Sequence, residues 1–82
     1  MTDTERRRRI HELDATVRVG KGGVENVADE LADQLESRDL VKVKFLRSAL
    51  GGTTVEGAAT DLGELAGCDV VETRGHTAVF ER

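Results

Sequence analysis

The sequence has few of the residues that cross-link a fold, span a membrane or stack on a ligand. It contains one cysteine, two phenylalanines and neither tryptophan nor tyrosine. Because Cys68 has no second cysteine, it cannot form an internal disulfide, and this favours a reducing, cytoplasmic setting. No apolar run approaches the roughly twenty residues that cross a bilayer, and no hydrophobic segment follows the N-terminal arginines as in a secretory signal. We therefore expect a cytoplasmic globular domain without membrane association.

The residue patterns of common enzyme and metal sites are also missing. His11 and His76 lie far apart in the sequence, and a single cysteine cannot form a cysteine-rich zinc site. The patterns G-x-S-x-G and H-E-x-x-H and the P-loop do not occur. The glycines at residues 20–23 lack the G-x-G-x-x-G spacing of a dinucleotide fold. We expect a non-enzymatic protein that uses no metal and no cofactor.

The length of the chain predicts one small domain, over residues 1–82. The distribution of charge predicts that this domain has two surfaces that differ in charge. Apolar residues make up 38% of the chain and charged residues 34%, as in folded rather than disordered proteins. The net charge is −4, but the acidic side chains are concentrated in residues 24–39 and 54–69. Basic side chains are in excess in residues 1–23 and 40–53. Because a ligand responds to the local field, we expect an acidic back and a basic working face.

The choice of charged and apolar residues favours a salt-rich cytoplasm. Nine arginines stand against three lysines, and one isoleucine accompanies many valines, alanines and leucines. At about 1 M salt the Debye length is only about 3 Å, so acidic side chains repel a phosphate chain little. We expect a salt-adapted protein.

Hydrophobic periodicity predicts the order α-β-α-β-α-β-β. Two segments, Thr2-x-x-Glu5 and Thr53-x-x-Glu56, have the spacing of a helix-capping box. Gly67 suits a helix end, and Gly75-His76 suits a hairpin turn. The expected elements are a helix over about residues 3–14, a strand over 16–19, a helix from 24, a strand over 40–45, a helix after 53, and strands over 70–74 and 77–81.

Apolar positions within these elements predict the core. The second helix carries an apolar stripe of Val24, Val27, Ala28, Leu31 and Leu35, and the third one of Val55, Ala58, Ala59, Leu62 and Leu65. Ile10 and Leu13 would anchor the first helix. Phe45, Phe80 and Cys68 are expected in the core. The fold class is α/β (α+β): a mixed four-stranded sheet with helices packed over at least one face.

A glycine-rich loop, Gly20-Lys21-Gly22-Gly23, lies between the first strand and the second helix. Glycines allow a tight bend and a close approach to a ligand, and Lys21 adds a positive charge at the tip. A helix that begins directly behind the loop would present free N–H groups to phosphate. A G-x-x-G loop clamps the nucleic-acid backbone in KH-type modules. Alternatively, the glycines simply make a strand-to-helix turn.

Further basic residues are candidates for phosphate contacts. Arg7 and Arg8 belong to a run of four arginines on the first helix, and Arg18 points outward from the first strand. Lys42 and Lys44 share one face of the second strand. Each of these side chains is equally explained as a solvated surface charge.

Three segments, in this order and spacing, resemble the YhbY-like, or CRM (chloroplast RNA splicing and ribosome maturation), domain. They are VRVGKGGV at residues 17–24, LVKVK at 40–44 and VVETRGHTAVF at 70–80. The resemblance extends from about residue 5 to residue 81. It implies a fold similar to the C-terminal domain of translation initiation factor three, which is related in form to KH-like modules.

The resemblance also implies a function and a site. The family binds structured RNA, and its stand-alone members associate with precursors of the large ribosomal subunit. Matched residue by residue, the family's G-K-x-G loop falls on Gly20, Lys21, Gly22 and Gly23, its basic first helix on the run that includes Arg7 and Arg8, and its Lys-x-Lys strand on Lys42 and Lys44. His76 is also expected to contact RNA; at this position the family more often carries lysine, so here histidine replaces a permanent charge.

We therefore expect a monomeric protein that binds rRNA of the large-subunit precursor. Its phosphate contacts would come from the loop, Arg7, Arg8, Arg18 and Lys44, and its specificity from RNA shape, since few aromatics are available for stacking. Two alternatives remain open. One is a protein-interaction module that docks a ribosomal or other partner through its acidic helices. The other is a binder of small anions or nucleotides that uses the same loop.

Overall fold

The computed structural model describes residues 3–82. Thr2, the first residue of one predicted capping box, lies outside this range. The helices and strands follow the predicted order. Two short 3-10 turns, Val24–Asn26 and Arg47–Ala49, lie in the connections. The elements are α1 (Asp3–Glu12), β1 (Ala15–Val19), α2 (Ala28–Ser37), β2 (Leu40–Phe45), α3 (Val55–Ala66), β3 (Asp69–Arg74) and β4 (Thr77–Glu81).

The four strands form one mixed sheet, as predicted, in the order β1-β2-β4-β3. β1 is parallel to β2, whereas β4 is antiparallel to both of its neighbours. Parallel neighbours need a long connection, and α2 provides it. The Gly75-His76 turn joins β3 to β4, and Gly75 has a φ of 57°, which favours glycine. The C-terminal ends of β1 and β2 therefore lie at the same end of the sheet as the β3–β4 turn.

The main core lies between one face of the sheet and the helices α2 and α3. Alternate residues of β1 and β2 point into it, as predicted: Val17, Val19, Val41, Val43 and Phe45. Phe45 and Phe80 are 1% and 0% exposed, which confirms that both are core residues. Cys68 packs partly buried against this core, and burial together with the Asp69 carboxylate raises the pKa of its thiol. A raised pKa makes this thiol a poor nucleophile at neutral pH.

α1 packs on the opposite face of the sheet, towards the end where β2 begins. Ile10 is buried in a small cluster with Leu40 and Val79, and Leu13 packs against the same cluster. Both anchors are therefore as predicted. α1 ends at Glu12, two residues earlier than expected.

Polar side-chain contacts join α1 to the same end of the sheet. Arg6 Nη2 lies 2.6 Å from Glu81 Oε2, and His11 Nε2 lies 3.3 Å from Glu72 Oε2. Arg9 Nη2 lies 3.9 Å from Asp39 Oδ2. Exposed pairs of this kind contribute little stability, so the apolar cluster is the main attachment of α1.

The second helix begins later than predicted. The expected first turn, from Val24, is a 3-10 turn, and α2 starts at Ala28. Val27, with φ −114° and ψ −3°, lies between the two and breaks the regular helix. The apolar stripe nevertheless faces the core, with Leu31 and Leu35 fully or nearly buried. Apolar spacing was correct here because a 3-10 turn and the first turn of an α-helix present similar faces.

The third helix begins at a different cap from the predicted one. Thr54, not Thr53, is the N-cap residue, and its Oγ1 accepts a 3.0 Å hydrogen bond from the Gly57 N–H. Because Thr54 lies one residue after Thr53, Glu56 falls at the second helical position and the predicted Thr53–Glu56 box does not form. α3 ends at Ala66, and Gly67, with φ 73°, caps it as predicted.

Replacement of the observed cap tests this assignment. We expect Thr54→Ala to lower the free energy of unfolding by about 1 kcal/mol, because the Gly57 N–H loses its acceptor. Thr53→Ala should lower it by less than about 0.5 kcal/mol. Urea unfolding followed by circular dichroism measures both values. Equal losses in the two variants would contradict the cap assignment.

The apolar stripe of α3 also differs from the prediction at its end. Leu65, expected in the core, is 54% exposed. Gly63 is buried instead, and a Cβ at that position would lie 3.0 Å from the Cys68 carbonyl oxygen. Because Gly63 has no side chain, α3 approaches the chain before β3 closely and turns Leu65 outward. The buried members of the stripe are Val55, Ala58, Ala59, Leu62 and Gly63.

Candidate nucleic-acid interface

The glycine loop (residues 20–23) forms a tight turn at the end of β1. The Gly23 N–H donates a 3.0 Å hydrogen bond to the Gly20 carbonyl, and Gly23 has a φ of 79°, which requires glycine for an unstrained backbone. Apart from Gly23 itself and its two neighbours in the chain, no residue has an atom within 4 Å of the position that a Cβ on Gly23 would occupy. Lys21 and Gly22 are exposed. A ligand can therefore approach the loop backbone closely at Gly23.

The helix N-terminus that was expected directly behind this loop is not there. A 3-10 turn follows the loop, and α2 begins only at Ala28. The N–H groups of Gly23, Asn26 and Val27 donate to the carbonyls of Gly20, Gly23 and Val24 within the turns. These three donors are engaged within the turns and are not available to a phosphate.

Asn26 lies over the glycine loop, a placement that no sequence pattern indicated. A Cβ on Gly22 would overlap the Asn26 Nδ2 atom. The Asn26 side chain is exposed, and its amide group offers two N–H donors. It is therefore a polar group beside Lys21 that is able to contact a ligand.

Three basic residues from different strands form a row across the sheet. Arg18 is in register with Lys44, Lys44 with Thr77, and Thr77 with Arg74. Residues in register on neighbouring strands share a face, and strands lie about 4.8 Å apart, so the row is about 14 Å long. We call Arg18, Lys44 and Arg74 the basic row. It lies on the face opposite α2 and α3, next to the glycine loop.

The charges of the basic row are exposed and not neutralised. All three side chains are exposed, and no carboxylate of residues 3–82 forms an ion pair with them. Arg18 and Lys44 lie directly beside each other, and like charges so placed destabilise a sheet. An arrangement of this kind gains stability when an anion binds across it.

Lys42 and Lys44 have different surroundings although they share a face of β2. Lys44 is exposed within the basic row, whereas Lys42 is half-buried and in register with Val79. Val79 belongs to the apolar cluster under α1. Lys42 thus lies between the basic row and α1 and is the less accessible of the two lysines.

Arg7 and Arg8 do not lie beside the glycine loop. α1 is attached near Leu40, and the four residues from there to Lys44 span about 13 Å along β2. Arg7 lines a shallow cleft with Ile10 and Glu72, among others, on the β3 side. Arg8 precedes Ile10 by two residues, which places it on the other side of α1. Its side chain therefore points away from the sheet. Arg7 can extend the basic surface past β3, but Arg8 faces solvent in another direction.

A small cleft lies beside the centre of the basic row, where β2 ends. It encloses about 230 Å³ and is lined by Lys44, Phe45, Leu46, Arg47 and His76. The Phe45 N–H donates to the His76 carbonyl over 2.7 Å, and the Leu46 N–H donates to the Val19 carbonyl over 2.9 Å. These bonds hold the hairpin turn and the end of β1 on either side of β2. We call this the leucine cleft.

Four residues at this end of the sheet were not predicted as binding residues: Asn26, Leu46, Arg47 and Arg74. Arg47 follows the basic run of β2 directly, and Arg74 precedes the hairpin turn, so their charge was a usable signal. Leu46 offered no such signal, because an apolar residue after a strand is expected to be buried. It is 39% exposed.

The other side of the domain is acidic. The exposed faces of α2 and α3 carry Asp29, Glu30, Asp33, Glu36, Glu56, Asp61 and Glu64. These helices cover the face of the sheet opposite the basic row. The separation of charge expected from the sequence is thus present in the fold.

Residues 3–82 contain no group of three or more His, Cys, Asp or Glu side chains placed to hold a metal ion. Among the helices described in the same range, none has the length and apolarity needed to cross a membrane.

Comparison with known proteins gives relatives over nearly the whole chain. A protein of Methanocaldococcus jannaschii named "Probable RNA-binding protein" is 36% identical over 76 residues. These residues make up 93% of this chain and 57% of that protein, so the chain spans little more than half of this relative. The solution structure of a hypothetical protein from Staphylococcus aureus, described as "a putative RNA binding protein", superposes with a TM-score of 0.73 at 31% identity. The superposition covers 93% of this chain and 78% of the other.

The match to a family confirms the resemblance seen in the three sequence segments. The family model for the CRS1 / YhbY (CRM) domain matches residues 2–82. It therefore includes the glycine loop, the basic row and the leucine cleft. The chain belongs to the CRS1 / YhbY (CRM) domain family.

Proposed function

We propose that this chain is a non-enzymatic RNA-binding protein that holds the RNA backbone with the glycine loop and the basic row. The basic row carries the proposal: three exposed cations lie in register on one face, and no carboxylate of residues 3–82 is paired with them. The names of the two relatives support RNA as the ligand. Lys21 adds a further exposed positive charge just beyond the end of β1.

The proposed recognition is of backbone shape. Phosphate contacts give affinity and register but carry no sequence information. Both phenylalanines are buried, so neither is available for stacking on a base. A duplex or a structured junction presents phosphates at fixed spacing and is the ligand that suits a rigid row of charges.

The cellular role follows from the family resemblance. We propose that the RNA is rRNA of the large ribosomal subunit precursor and that the protein acts as a monomer in the cytoplasm. The acidic helices would face away from the RNA. In a salt-rich cytoplasm their repulsion of phosphate would be screened.

A charge reversal in the loop tests the proposal. We expect Lys21→Glu to weaken binding of a large-subunit rRNA fragment about tenfold at about 0.1 M salt, because one phosphate contact is lost and a repulsion is added. Fluorescence anisotropy over a salt series should also show that the slope of log affinity against log salt concentration is smaller in magnitude by about one. The melting temperature should stay nearly unchanged, since Lys21 is exposed.

The matched control is Arg82→Glu. Arg82 follows β4 at the opposite end of the sheet, and the substitution changes the net charge by the same amount. Equal affinity of wild type and Lys21→Glu would contradict a binding role for the loop. Absence of RNA binding at every salt concentration would contradict the proposed function and favour the protein-interaction alternative. Competition by a mononucleotide at low concentration would favour the small-anion alternative.

A further inference from the structure

We infer that the leucine cleft binds one unpaired nucleotide of the RNA whose backbone lies on the basic row. The inference rests on the proposed function and adds a second element to it, the recognition of an unpaired residue next to a paired segment. It starts from Leu46, which is 39% exposed although it follows β2 directly.

Leu46 is held rigidly in this exposed position. Its N–H donates to the Val19 carbonyl, and its own carbonyl accepts the Ala49 N–H, both over 2.9 Å. A Cβ on Gly20 would lie 3.7 Å from Leu46 Cδ1, so the leucine side chain borders the glycine loop. Because the backbone here is fixed by hydrogen bonds, it needs no reordering when a ligand covers the leucine, which favours binding.

The surroundings of Leu46 match the chemistry of a nucleotide. The exposed Leu46 side chain gives the cleft an apolar floor, and Lys44, Arg47 and His76 lie around it with exposed side chains. An apolar floor suits a base or a ribose, and a cationic rim suits the phosphates on either side. A basic or purely apolar partner would bring no negative charge to pair with the cations of this rim.

Arg47 and His76 also provide the planar groups that the buried phenylalanines do not. Unpaired bases stack on guanidinium and imidazole planes as well as on larger aromatic rings. Both side chains line the same cleft. Its volume of about 230 Å³ is below the roughly 300 Å³ at which ligand pockets usually begin, so it has room for no more than one nucleotide. A paired base cannot enter, because its edge and faces are engaged in the duplex.

The test compares two RNA hairpins of equal length, one fully paired and one with a single bulged nucleotide. We expect wild type to bind the bulged hairpin about five to ten times more tightly, a range consistent with one stacked base. Arg47→Lys keeps the charge but removes the plane, and Leu46→Ser removes the apolar floor. Each should reduce the ratio of the two affinities to about one. Anisotropy titrations measure the ratio, and thermal unfolding verifies that the variants fold.

Leu65→Ser is the matched control, because Leu65 is an exposed leucine on the acidic side of the domain. It should keep the wild-type ratio. Equal binding of both hairpins by wild type would overturn the inference, as would a ratio that survives in Arg47→Lys and Leu46→Ser. If those results came with the expected loss in Lys21→Glu, the proposed function would stand without this subsite. Failure of wild type to bind either hairpin would overturn both.

Discussion

Lys44→Glu should weaken RNA binding roughly 30-fold at about 0.1 M salt while leaving the domain at least as stable as wild type. Lys44 is the centre of the basic row, in register with Arg18 on one side and Thr77 on the other. Loss of a charged hydrogen bond to phosphate, with repulsion added, costs about 2 kcal/mol, which corresponds to this factor. The salt slope of binding should fall by about one.

The stability should move in the opposite direction because the substitution removes a like-charge pair. In wild type, Arg18 and Lys44 are two cations side by side on neighbouring strands. The carboxylate introduced by Lys44→Glu would face Arg18 with the opposite charge, and cross-strand pairs of opposite charge contribute roughly 0.2–1 kcal/mol. We expect a melting temperature that is equal or slightly higher, measured by circular dichroism at low salt. This separates a loss of binding from a loss of folding.

Lys42→Glu is the internal comparison on the same strand and face. Lys42 is half-buried next to the cluster under α1, so its substitution should affect RNA affinity less than Lys44→Glu. Equal losses of affinity in the two variants would show that RNA lies along β2 and not across the strands. Wild-type affinity in the Lys44→Glu variant would show that the basic row does not contact the RNA.

The sequence predicted the elements well because the apolar periodicity of each is unambiguous. β2 has the predicted bounds, with its lysines and valines on opposite faces. The basic row could not be predicted, because Arg18, Lys44 and Arg74 are brought together by the strand order β1-β2-β4-β3. Periodicity assigns each residue a face but does not say which strands are neighbours.

The starts of α2 and α3 show a second limit of sequence patterns. Val24 continues the apolar stripe of α2 but belongs to a 3-10 turn, and Thr53 has the capping-box spacing although Thr54 is the cap. Two adjacent threonines are equally good caps, and the backbone that enters the helix decides between them. The same shift matters at the glycine loop, because the expected helix N-terminus is displaced from it.

Leu62→Ala should be the most destabilising of the substitutions considered, with a loss of about 3 kcal/mol in the free energy of unfolding. Leu62 is 0% exposed on α3, which packs against α2, β3 and β4. Truncation of a buried leucine removes its transfer free energy and leaves a cavity. Domains of this size have total stabilities of about 4–12 kcal/mol, so this is a large share. The melting temperature should fall by about 10–20 °C.

Leu65→Ala makes the same leucine-to-alanine change three residues later on α3. We expect it to change the melting temperature by less than about 3 °C. Leu65 is 54% exposed, and alanine is as good a helix former as leucine, so little packing and no helix propensity is lost. Thermal and urea unfolding of the two variants side by side reports the orientation of α3. A loss of similar size in both would mean that Leu65 packs into the core, as its spacing from Leu62 alone suggests. A large loss confined to Leu62→Ala would establish that α3 turns Leu62 into the core and leaves Leu65 on the acidic surface, away from the basic row.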